Sequence, residues 1–192
     1  VQRKVPREAL AATGTPVFEP DDAVARLDEK LAWFSALPDG HPARLAVEDR
    51  ERALIRMEAV VAQWRELAVE APAVGLDHND LHAGNAYPGP RISDWGDAVV
   101  RHPFCSLRPL LFAANSVFGP AAADEVRQAY LAGWGDPAQL APVLDVALKL
   151  AVPQRLHCWV QLDDAAAVAT YAEYVVPLMR EVGRAIEDVT QP

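Results

Sequence analysis

The sequence predicts a mainly α-helical domain with one small β-hairpin inserted near its middle. Three observations carry this. Apolar residues recur at helical spacing through residues 43–69, the pattern breaks into short pieces between Pro72 and Pro103, and strong helix stops punctuate the rest. At 192 residues, half of them apolar and five of them Trp, the chain can build one core of good size.

Residues 1–20 mix charge, Gly14 and three prolines, and read as a linker or the remnant of a connection. Asp21 and Asp22 can cap a helix that runs to about Leu37, where Pro38-Asp39-Gly40 stops it. In the long helix over 43–69, Leu54, Met57, Val61, Trp64 and Ala68 form one apolar stripe. Glu48, Asp49, Arg50, Glu51 and Arg52 supply a solvated face. Next come Val74-Gly75-Leu76, Asn85-Ala86-Tyr87 and Arg91-Ile92-Ser93, with Pro88-Gly89-Pro90 as a hairpin turn between the last two. Helices resume over about 104–118, 121–133, 138–151 and 154–162, with stops at Gly119-Pro120 and at Gly133-Trp134-Gly135 before Asp136-Pro137. A last helix starts at Asp163-Asp164 and runs towards Val189, with a bend expected at Pro177.

The net charge of −9 argues against a nucleic-acid partner, and a cationic small ligand is compatible with it. Cys105 and Cys158 stand apart with no framework spacing, which fits a reducing cytoplasm. No apolar run is long enough to cross a bilayer, so no membrane partner is expected. The chain starts at Val1, as a fragment or a processed product would.

The polar residues that could do chemistry gather at the insertion. It reads His78-Asn79-Asp80-Leu81-His82-Ala83-Gly84-Asn85, followed by Ser93-Asp94-Trp95-Gly96-Asp97-Ala98. Phosphoryl transfer needs a carboxylate to orient the attacking hydroxyl, and oxygen ligands to hold Mg²⁺ against the phosphates. An Asp and an Asn five residues apart on a tight loop can supply the base and one ligand, and an Asp delivered by a hairpin can supply the other.

Residues 78–98 resemble the aminoglycoside phosphotransferase and choline kinase group, whose catalytic loop runs H-x-D-L-H-x-x-N and whose metal loop runs I-D-W-x-D-A. The flanking helices fit that family in outline. The resemblance implies the C-terminal helical lobe of a protein-kinase-like fold, with catalytic and metal loops over 78–98 and substrate-side helices over 104–192. It makes Asp80 the catalytic base, and Asn85 and Asp94 the ligands of Mg²⁺ and thereby of ATP or another nucleoside triphosphate. His78, His82 and Asp97 would support the loops. The implied activity is transfer of a phosphoryl group to a hydroxyl of an aminoglycoside-like, sugar or amino-alcohol substrate. A catalytically inactive binding or scaffold module on the same fold is the alternative.

Candidate contacts for a cationic substrate are Asp124, Glu125, Asp163, Asp164 and Glu173; Trp134 and Trp159 could stack on a ring or fill the core. The nucleotide-gripping N-terminal lobe is not in the sequence. No G-x-G-x-x-G occurs, and Lys4, Lys30 and Lys149 lie in linker or helical context, the last two read as surface residues. That lobe is expected upstream of Val1. His78-x-Asp80-x-His82 also has the look of a zinc cluster, but the barrel that such hydrolases use needs about 250 residues and repeated strand-helix units.

Overall fold

The computed structural model describes residues 2, 7–67, 75–89 and 91–184. The chain is mainly helical with a small antiparallel sheet region, as its periodicity predicts. Helix α1 (Arg7–Ala12) is short, and a 3₁₀ turn at Pro20–Asp22 leads into α2 (Ala23–Ser35). Helix α3 (Val47–Leu67) returns against α2, and Arg50 Nε donates to Asp28 Oδ1 at 2.7 Å between the two. Leu27, Leu31 and Phe34 from α2 share one core with Met57, Val60 and Val61 from α3, all almost fully buried.

Strand β1 (Gly75–Asp77) leads out of the helical layer into the insertion. Within it, β2 (Ala86–Tyr87) and β3 (Arg91–Ile92) form the expected hairpin, paired Ala86 to Ile92 and Tyr87 to Arg91 across Pro88-Gly89. Gly89 has φ +80, which glycine adopts without the clash that a Cβ would bring. Val74 and Pro90 lie outside the described residues.

Strand β4 (Val99–Arg101) then pairs antiparallel with β1, Asp77 opposite Val99 and Gly75 opposite Arg101. This second ladder encloses the hairpin and goes beyond the sequence reading. Its strands are three residues long and β4 is buried throughout, so it offers no alternation to read.

Within the stretch read as a linker, Pro16, Val17 and Phe18 join this ladder. Leu10 of α1 is buried, Phe18 N–H donates to Val100 O, and Val100 N–H donates to Pro16 O, both at 2.8 Å.

After β4 a 3₁₀ turn (Pro103–Leu107) turns the chain into α4 (Arg108–Phe118), then α5 (Pro120–Ala132) and α6 (Pro137–Leu150). Helix α7 (Val152–Val160) packs against α2 and against the last helix. The helix expected from Asp163-Asp164 towards Val189 is broken at Tyr171 into α8 (Ala165–Thr170) and α9 (Ala172–Arg180), with Pro177 inside α9. Residues 185–189 of that expectation lie outside the described residues.

Lys30 is a correction: it is buried in α2, its ammonium 2.7 Å from Glu29 Oε1. No helix among the described residues is long and apolar enough to cross a membrane.

Candidate functional site

The loop after β1 is built on a buried polar network. Asp77 is fully buried, and its carboxylate accepts hydrogen bonds from Arg101 Nε, from Ser106 Oγ and from the Asn79 N–H. Arg101 reaches on, donating to Asn79 Oδ1 at 2.9 Å and to Ala151 O at 3.3 Å. Burial works against the Arg101 charge, but the Asp77 carboxylate more than offsets it and raises the guanidinium pKa. These contacts hold Asn79 at φ +65, a region that Asn tolerates better than most residues. The turn made there carries Asp80 out of the core.

His78 ties this loop to the hairpin. Its Nδ1 accepts from the Asp80 N–H at 3.3 Å, so Nε2 carries the proton and donates to Ser93 O at 2.7 Å. Its ring lies 4.7 Å from that of Trp95. Both ring nitrogens are therefore engaged within the protein, which removes His78 from the zinc reading.

His82 Nδ1 accepts from the Gly84 N–H at 3.0 Å, and its Nε2 stands 3.6 Å from Asp80 Oδ2. A Cβ on residue 84 would sit 2.8 Å from that ring, so a side chain there would displace the His82 imidazole from its present position. His78 and His82 each accept a hydrogen bond from a backbone N–H of this loop.

Asn85 is buried beneath the loop. Its Nδ2 donates to Asp80 O at 3.1 Å, and its own carbonyl accepts from the Ser93 N–H at 3.0 Å. Its Oδ1 makes no hydrogen bond among the described residues. Asp94, next to Ser93, is exposed and held at φ +60, with no hydrogen bond or ion pair among the described residues. Ser93 therefore links the three chemically capable residues: it is bonded to Asn85 and to His78 below Asp80, and it precedes Asp94. Asp97 sits half-buried on the following turn. Burial, and after it the Asp97 charge, pushes the Cys158 thiol up to about 11, so that cysteine is not a poised nucleophile.

No motif or spacing points to Arg155, which lies 75 positions beyond Asp80 on α7. Its Nη1 donates to Asp80 Oδ1 at 2.6 Å and to Asn79 O at 2.9 Å. Only the fold brings it there.

Asp80, His82 and Arg155 border a cleft of about 650 Å³. Phe112 of α4, Trp159 of α7, Tyr171 between α8 and α9, and Tyr174 of α9 form its walls. Of the acidic residues considered for a cationic substrate, Glu173 lines this cleft. Asp164 instead caps α8 through the Ala166 and Ala167 N–H groups, and Asp163 accepts from Trp33 Nε1. Asp124 borders a different cavity beside Lys149, and Glu125 is exposed on α5. Trp134 packs on Phe104 and Tyr130 as a core residue, whereas Trp159 faces the cleft.

Among the described residues no three His, Cys, Asp or Glu side chains form a metal-holding group. Asn85 and Asp94 offer one amide oxygen and one carboxylate, a hard oxygen pair of the kind that Mg²⁺ takes alongside phosphate oxygens. No protein-family model matches the chain, and no curated protein matches it. The functional reading rests on the site.

Proposed function

We propose that this chain is the catalytic lobe of a small-molecule kinase of the aminoglycoside phosphotransferase type. It would transfer the γ-phosphoryl group of a nucleoside triphosphate to a hydroxyl. The observation that carries the reading is Asp94: an exposed carboxylate with no protein partner among the described residues, directly after Ser93, whose N–H is bonded to the Asn85 carbonyl. Its φ of +60 is a turn conformation that Asp adopts more readily than most residues, and it leaves the carboxylate displayed beside Asn85's loop.

Asn85 Oδ1 and Asp94 would hold Mg²⁺, which when bound neutralises charge on the transferring phosphates. Asp80 orients the hydroxyl and accepts its proton. The new bond joins the substrate oxygen to the γ-phosphorus, the bond from that phosphorus to the bridging oxygen breaks, and nucleoside diphosphate leaves. Arg155 holds the Asp80 carboxylate in place. Positioning and charge neutralisation supply most of the rate in such transfers.

The same Arg155 contact favours a second reading, a kinase-like module that binds without turning over, because it engages one oxygen of the base.

Melting the chain with ATP, with Mg²⁺, and with both, beside Asp94→Ala, tests the proposal. A ligand at a hundredfold excess over Kd stabilises the native state by about 2.7 kcal/mol. The expected result is a shift that needs Mg²⁺ and nucleotide together and is lost in Asp94→Ala. A shift retained in the variant, or one that nucleotide produces equally without Mg²⁺, overturns the metal-nucleotide assignment.

A further inference from the structure

The cleft beside Asp80 has an unusual division between charge and rings. Among the described residues three carboxylates border it, and two are already paired. Asp80 is held by Arg155, and Glu181 is joined to Arg108 in a buried ion pair. Glu173 alone makes no ion pair among the described residues. Counting both arginines, the described walls carry one net negative charge. The rest of the surface is apolar and aromatic. Phe112 is 42% exposed, Tyr171 47% and Tyr174 62%, large values for rings that face a concave surface. Trp159 stands 5.6 Å from Tyr171, extending the aromatic wall down to α7.

We infer that this cleft takes an alcohol with an aromatic or comparably flat apolar body and at most one cationic group, and that it does not take a polycationic amino sugar. The inference rests on the phosphotransferase reading for the role of the hydroxyl, and it replaces the aminoglycoside-like substrate with another class. An ammonium brought out of water needs a partnered carboxylate, or it loses hydration without return. A compound with four or five such groups would find one unpaired carboxylate here. A ring gains by covering the exposed aromatic faces, and a single amine can meet Glu173. The volume is that of sites for drug-sized ligands, about 300–1,000 Å³.

The test uses the chain without nucleotide or Mg²⁺, so that its failure is separate from failure of the phosphoryl-transfer reading. Saturation-transfer NMR is recorded with four probes: 2-phenylethanol, 2-amino-1-phenylethanol, choline and kanamycin A. Tyr174→Ala and Glu173→Gln, both changes at exposed positions, are compared with the parent chain. The expected result is saturation of both phenyl probes, reduced at least threefold in Tyr174→Ala. Glu173→Gln should weaken the amine probe at least threefold and leave 2-phenylethanol unchanged, while kanamycin A binds no better than choline. Kanamycin A binding tenfold tighter than the phenyl probes overturns the inference. So does a phenyl signal that is absent or indifferent to Tyr174→Ala. Sedimentation showing a dimer that Tyr174→Ala returns to monomer would assign the rings to a self-interface and overturn it equally.

Discussion

Asp77 and Asp80 are three residues apart on one loop, and the fold treats them in opposite ways. Asp77 is fully buried, and three donors satisfy it, with Arg101 supplying the opposing charge. The Asp80 side chain keeps 28% of its surface and shares one oxygen with an arginine that itself lines the cleft. The first carboxylate fixes the backbone on which the second is displayed. A buried ion pair adds little stability in itself, but removing one partner strands a charge. A half-exposed pair has solvent as an alternative partner. The difference separates the residues that hold the loop from those that can engage a ligand.

The sharpest way to break this comparison is Arg101→Met, which leaves the Asp77 carboxylate buried without its cation. It should cost about 3–5 kcal/mol in urea unfolding. A loss below 1 kcal/mol would make the network ornamental.

Acid should strike the same rigid side. Burial lowers the His102 pKa from its usual 6.5 to about 3, and the ring is neutral, wedged edge-on between Trp64 and Phe104. The unfolded chain takes up a proton below pH 6.5 and the native chain does not, so stability falls as pH drops from about 6.5 towards 3. The loss is on the order of 5 kcal/mol. His102→Leu should flatten that slope in urea titrations across this range.

Asn79→Ala removes one partner of Arg101 and keeps the positive φ. A cost of about 1–3 kcal/mol is expected. Arg155→Met should change unfolding stability by only about 0–1 kcal/mol. If it cost as much as Arg101→Met, the two pairs would not differ in kind.

The long helix, the hairpin and the pairing of two loops were legible because each has a period or a turn signal: the stripe through Met57 and Trp64, Pro88-Gly89, and the spacing from Asp80 to Asn85 to Asp94. The β1–β4 ladder was not, because three residues are too few to show a period and β4 is buried throughout. Arg155 was hidden for a different reason, since its contact with Asp80 is made by packing α7 against the loop. Lys30 was misjudged because a lysine on a helix is ordinarily solvated, and only the approach of α7 to α2 buries it. The break at Tyr171 matters most for the site. Helix α8 ends at Thr170 and α9 starts at Ala172, and Tyr171 and Tyr174 both line the cleft.

The pairing of Asp77 with Val99 closes residues 78–98 into a loop whose two ends are fixed before its tip is reached. Chain entropy then sets how much can be added at that tip. Doubling the length of a closed loop costs only about 0.6 kcal/mol more. The exposed turn at Pro88-Gly89 is accordingly a place where a peptide epitope or a fluorophore-bearing segment can be spliced in with little loss of stability, within the same closed loop that carries Asp80.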